Sequence, residues 1–213
     1  MTPDGHWDEV YARRDETEVS WFAVEPVVSL ELLEVGGARP DRPLVDVGAG
    51  ASRLVDALLA RGFTDLTALD VSADGLARAR RRLGGDAQRV RWVVADLLAW
   101  RPHRRFATWH DRAVFHFLVD PAHRAGYRAL LDLALAPRAL VVIGTFAQDG
   151  PEQCSGLPTV RYSPEELAAE LGDGLAVVAT RREEHRTPAG HVQPFTWLAL
   201  RRLTPPPGAA RRS

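Results

Sequence analysis

Apolar and polar positions follow two periods along this chain. Short apolar runs at 44–47, 66–69, 90–95, 106–110 and 139–143 read as strands. Stretches at 52–61, 74–83 and 121–136 repeat their apolar positions with the period of a helix packed on one face. Asp120 stands where the third of these helices needs an N-cap, and Ser163-Pro164-Glu165-Glu166 combines an N-cap, a proline in the first turn and a capping box, opening a helix to about 171. Two further strands at 176–182 and 195–202 flank the turn-rich Arg186-Thr187-Pro188-Ala189-Gly190, which suits a long antiparallel hairpin. Strands alternating with helices predict one α/β domain over residues 1–203, with a mostly parallel sheet and helices on both faces. The Pro-, Gly- and Arg-rich residues 204–213 read as a disordered tail.

Composition narrows the chemistry. The 213 residues carry a net charge of -1, and 46% are hydrophobic and 26% charged, as expected of a globular domain. All 27 basic residues are arginine, so a Schiff-base lysine, a P-loop lysine and a kinase lysine are excluded. Cys154 stands alone, which leaves no internal disulfide and no cysteine-rich zinc site, and makes a reducing cytoplasm the expected compartment. The expected site holds no metal. No apolar run is long enough to cross a membrane, and the N-terminus has acids and Trp7 where a signal peptide would have a basic and then an apolar region. The near-zero net charge points away from a nucleic-acid partner, and the arginines at 78–82 read as a solvated helix face.

Candidate chemistry begins after the first strand. Asp46-Val47-Gly48-Ala49-Gly50 puts two glycines at a strand-to-helix turn, where backbone N–H groups can approach a ligand. Arg53 occupies the third small position of a dinucleotide fingerprint, which counts against a pyrophosphate there. Asp46, Asp70 and Asp96 end three successive strands, so they share the edge at which open α/β sheets bind ligands. Each could also simply cap the helix that follows its strand.

This constellation resembles the class I S-adenosylmethionine methyltransferases, Rossmann-like enzymes with a seven-stranded, mostly parallel sheet and D-x-G-x-G after the first strand. The resemblance implies that Asp46, Val47, Gly48, Ala49 and Gly50 hold the methionine end of S-adenosylmethionine. It also implies that Asp70 takes the ribose hydroxyls, that Asp96 and Leu97 read the adenine, and that Val71 packs on it. Together with W-x3-Y at Trp7 and Tyr11, then Trp21-Phe22, the pattern looks like a group of bacterial small-molecule enzymes related to the citrate synthase and elongation-factor lysine methyltransferases. Those eukaryotic members tend to carry Asp-Lys where this chain has Asp111-Arg112.

The resemblance places Asp111 to His116 around the sulfonium, so His116 is the candidate general base, with Asp111 as a second catalytic candidate; a packed histidine between Phe115 and Phe117 is the other reading. Residues 1–35 form an expected helical lid, and Trp7 and Tyr11 share one helical face. Trp21, Phe22, Arg112 and Phe115, with Phe146, Cys154 and Arg161 from the long loop 145–162, are the expected substrate residues. The expected partner is a small methyl acceptor, methylated at S, O or N by a monomer or homodimer. A protein lysine or N-terminal methyltransferase and a non-catalytic binding module are the rivals.

Overall fold

In a computed structural model, which describes residues 5–13 and 15–203, the first apolar run is β1 (Leu44–Val47), buried at all four positions. Two helices precede it, α1 (His6–Arg13) and α2 (Val27–Val35). It is followed by α3 (Leu54–Ala60), β2 (Leu66–Asp70), α4 (Ala73–Leu83), β3 (Val90–Val94) and β4 (Phe106–Arg112). Then come α5 (Pro121–Ala134), β5 (Leu135–Phe146), a small ribbon of β6 (Gln153–Cys154) and β7 (Leu157–Pro158), α6 (Pro164–Leu171), β8 (Leu175–Arg186) and β9 (Val192–Arg202). The tail expected at 204–213 lies outside the described residues.

Seven strands form one sheet in the order β3-β2-β1-β4-β5-β9-β8. The first five are parallel, and the terminal hairpin β8–β9 adds the antiparallel pairs. The expected caps are in place: Asp120 accepts from the Ala122 amide at 2.8 Å, and Ser163 and Glu166 form a reciprocal capping box. Helix α5 ends at Ala134, two residues before the expected boundary, because Pro137 disfavours helical backbone at Ala136. Strand β5 is accordingly twelve residues long rather than five.

Strand alternation divides the core into two layers. Leu44 joins α2 and α3 on one face, with Leu32, Leu58 and Trp197. Val45 and Val47 join α5 and α6 on the other, with Trp109, Tyr127 and Leu167. The same alternation runs through β4, where Trp109 and Asp111 turn toward α5 while His110 turns toward α2. No helix among the described residues is long and apolar enough to cross a membrane.

Candidate active site

A cavity opens over the carboxyl ends of the central strands, lined by Asp46, Asp70 and Asp96 and roofed by residues of α1 and of the 16–26 segment. The order of β1 between β2 and β4 creates it: the connections from β1 and β4 leave in opposite directions, and their loops part. Gly48 has φ +68°, and a Cβ there would stand 2.1 Å from Val114 Cγ2, so only glycine lets these two loops meet. Asp70 accepts from the amides of Gly50 at 2.8 Å and Ser72 at 2.7 Å. Burial, with the charges of Asp46 and Asp8 behind it, pushes the Asp70 carboxyl up to about 6. Asp96 holds the amides of Leu98 and Ala99, at 2.8 and 3.2 Å. Ser72 rather than Asp70 caps α4, and Asp96 closes a turn rather than a helix, so neither is a helix cap, and both line the cavity.

Asp46 is only 3% exposed, and its Oδ1 lies 2.8 Å from Nδ1 of His110. The other ring nitrogen, Nε2, lies 2.9 Å from the hydroxyl of Ser29 in α2. An ionised carboxylate only accepts, so Nδ1 carries the proton and Nε2 accepts from Ser29. All three residues are buried and all three line the cavity. The second oxygen of Asp46 is buried with no partner.

The N-terminal segment closes the cavity by specific contacts. The Tyr11 hydroxyl accepts from the Ala51 amide at 3.3 Å, and Ser72 donates to Asp8 at 2.5 Å. Trp7 meets Trp21 and Phe117 edge to face, with ring centres 5.5 and 5.3 Å apart. Glu16 accepts from Arg82 at 2.9 Å and Arg53 at 3.4 Å, and Arg82 also holds the carbonyls of Ala51 and Ser52 beside the glycine loop.

The expected site residues separate into two groups. Asp46, Val47, Gly48, Ala49, Asp70, Val71, Asp96 and Leu97 line the cavity, as do Trp21, Phe22, Arg112 and Cys154. Gly50 supports it through its bond to Asp70. Phe115, Phe146 and Arg161 do not line it: both rings are core, and Arg161 pairs with Glu152 in the loop. The base assignments also need correction. His116 has no exposed surface and accepts from the Phe146 amide at 3.3 Å, and burial followed by the charge of Arg112 pushes it down to about 3. Asp111 is equally buried, accepting from Tyr127 at 2.7 Å and from the Val114 amide at 3.0 Å, so it braces the turn after β4. Neither lines the cavity. His110 and Ser29, which sequence reasoning passed over, do.

Residues 44–135 match the methyltransferase domain family. The chain resembles that family over less than half of its length. Its fold is shared with a structure solved for the conversion of a disulfide bond into a thioacetal group during echinomycin biosynthesis, 22% identical, with TM-score 0.73 over 94% of this chain and 93% of that one. The 1,6-didemethyltoxoflavin N1-methyltransferase of Burkholderia thailandensis is 22% identical, with TM-score 0.69 over 94% and 84%. The N-methyltransferase NodS of Bradyrhizobium japonicum is 18% identical, with TM-score 0.69 over 94% and 100%. No curated protein matches by sequence.

The cavity fits S-adenosylmethionine, the cofactor that the sequence resemblance implies. The unpartnered Asp46 oxygen suits the ammonium of the methionine end, and Asp70 and Asp96, which line the same cavity, would hold the nucleoside. Among the described residues no three His, Cys, Asp or Glu side chains group as a metal site.

Proposed function

We propose that this protein is a class I methyltransferase that transfers the methyl group of S-adenosylmethionine directly to a small acceptor held beneath Trp21 and Phe117. What supports the reading is one continuous cavity that joins the three strand-end carboxylates to a compartment lined by Trp21, Phe117, Ser29, His110, Arg112 and Cys154. S-adenosylmethionine supplies a methyl group already made electrophilic by its sulfonium, so the protein's task is to orient a nucleophile and exclude water. Positioning of this kind lowers a barrier by about 7–11 kcal/mol in favourable cases. The aromatic cover removes water, and Trp21 and Phe117 present faces and edges suited to a flat acceptor.

The proton of an acceptor has one route among the lining residues that this reading favours. Nε2 of His110 accepts from Ser29, whose hydroxyl oxygen keeps lone pairs for a second donor. A proton leaving the acceptor passes to Ser29 as the Ser29 proton passes to Nε2, and Asp46 stabilises the imidazolium through Nδ1. Burial pushes the Cys154 thiol up, so it stands at the compartment wall as a neutral thiol rather than a thiolate.

The test uses methyl-labelled S-adenosylmethionine with panels of small thiols, phenols, amines and acids, and then with a cell lysate. Label in the low-mass fraction, lost in Asp70→Ala, is the expected result. Label confined to protein bands would establish the protein-methyltransferase reading instead, and cofactor binding with no transfer would establish a binding module.

A further inference from the structure

Arg112 is the cation at the acceptor end of the cavity, and its charge is not locally paired. The other arginine of the lining, Arg53, reaches Glu16 at 3.4 Å, whereas no carboxylate lies within ion-pair distance of Arg112 among the described residues. The carboxylates whose charge it feels, Glu183 and Asp46, bond other groups: Asp46 Oδ1 lies on His110, and Glu183 Oε2 accepts from the Trp197 indole at 2.8 Å. Nη1 of Arg112 donates to the Trp21 carbonyl at 2.7 Å, and the guanidinium lies 5.3 Å from the ring centre of Phe195. Nη2 is buried and has no hydrogen-bond partner.

Withdrawing a guanidinium from water is unfavourable unless an opposite charge and hydrogen bonds replace the solvent. Such a group at the wall of a cavity is a candidate for completion by a ligand. One free amino group on a guanidinium anchored at its other end suits a single oxygen of a planar monoanion, through a charge-assisted bond. Trp21, Phe22, Phe117 and Trp7 supply walls for a flat, apolar body.

We infer that the acceptor is an aromatic or heteroaromatic carboxylate, its carboxyl oxygen held by Nη2 of Arg112 and its nucleophilic atom turned toward the cofactor. This inference rests on the proposed function for the position of the methyl group, though the anion site itself does not depend on methyl transfer. The carboxylate is a recognition handle; the methyl group goes to a separate S, O or N atom of the same molecule.

Calorimetric titration tests it, with S-adenosylhomocysteine absent and then present, using pairs of matched probes: benzoate against benzamide, and indole-3-carboxylate against indole-3-carboxamide. Each carboxylate is expected to bind at least tenfold more tightly than its amide. Arg112→Gln should erase that preference and Arg112→Lys should retain part of it, with S-adenosylhomocysteine affinity in both variants within about twofold of wild type, the range of a residue outside the cofactor contacts. Equal binding of acid and amide, or no binding of either, overturns the inference. So does a selective loss of S-adenosylhomocysteine binding in Arg112→Gln, which would assign the guanidinium to the cofactor carboxylate. Failure of wild-type protein to bind S-adenosylhomocysteine while still preferring the acids would overturn the proposed function and leave the anion site standing.

Discussion

Two histidines six positions apart carry opposite roles. His116 is enclosed between Phe117 and Phe146, with ring centres at 4.5 and 4.6 Å, and it is held neutral by burial. His110 is also buried, yet it lies against Asp46 and Ser29 at the cavity wall. His110→Gln is expected to lower kcat by about a hundredfold or more for an acceptor that must lose a proton, while His116→Gln leaves kcat within about twofold. Steady-state kinetics on the two variants distinguish these roles. His116 should instead govern acid stability. Its ring is pushed from 6.5 to about 3, so the unfolded chain binds a proton that the folded chain refuses, and the stability present above pH 6.5 is lost as pH falls toward 3. Asp70 and Asp111, pushed up from 3.8 to about 6, act oppositely between pH 6 and 4, since protonation relieves their burial. The difference between wild type and His116→Gln isolates the histidine: any melting-temperature advantage of wild type should shrink by roughly 5 °C between pH 6.5 and 4.5. A constant difference across that range would refute the assignment.

The aspartates were legible because they stand in a recognisable pattern at or just beyond the carboxyl side of three successive apolar runs. His110 was not singled out, although period two along β4 puts it on the opposite face from Asp111. Parallel pairing of β1 with β4 sets Asp46 opposite His110, and no local pattern announces that register. Ser29 was harder still, because its partner lies 81 positions away.

Among the elements, α1 and the segment to α2 contribute most to closing the site. Their hold depends on a few polar clasps: Glu16 between Arg82 and Arg53, Asp8 on Ser72, and the bond from the Arg78 guanidinium to the Tyr11 carbonyl. Glu16→Gln weakens the first clasp without touching the glycine loop. Amide exchange over residues 5–26 should quicken while that of the β1–β5 core stays unchanged. Because a half-buried pair is worth about 0.5–1 kcal/mol, the Kd for S-adenosylhomocysteine should rise about two- to fivefold. Unchanged exchange and affinity would mean that the aromatic contacts alone hold the cover. The helices and strands themselves were largely readable from periodicity and caps, whereas lengths shifted where longer-range pairing prevailed: β5 and β9 pair from Leu140 to Phe146, extending a strand that its own apolar run would have ended at 143. The loop after β5 was expected to be an ordered substrate cover, and only its Cys154 reaches the cavity.

At the scale of the whole molecule, the sheet order sets the site before any side chain refines it. With β1 between β2 and β4, the acids of β1, β2 and the turn after β3 all face one crevice, and the apolar half of that crevice continues under Trp21. The absence of lysine, first a bare exclusion of mechanisms, is compatible with methyl transfer, which needs none. In the proposed reaction the methyl group is delivered into the compartment beneath Trp21. A crystal structure with S-adenosylhomocysteine bound tests it most directly. The expected result is the nucleoside beside Asp70 and Asp96, the methionine ammonium on Asp46, and the sulfur facing the space between Trp21, His110 and Arg112. A sulfur facing away from that compartment, or Ser29, His110 and Arg112 all remote from the vacated methyl position, would contradict it.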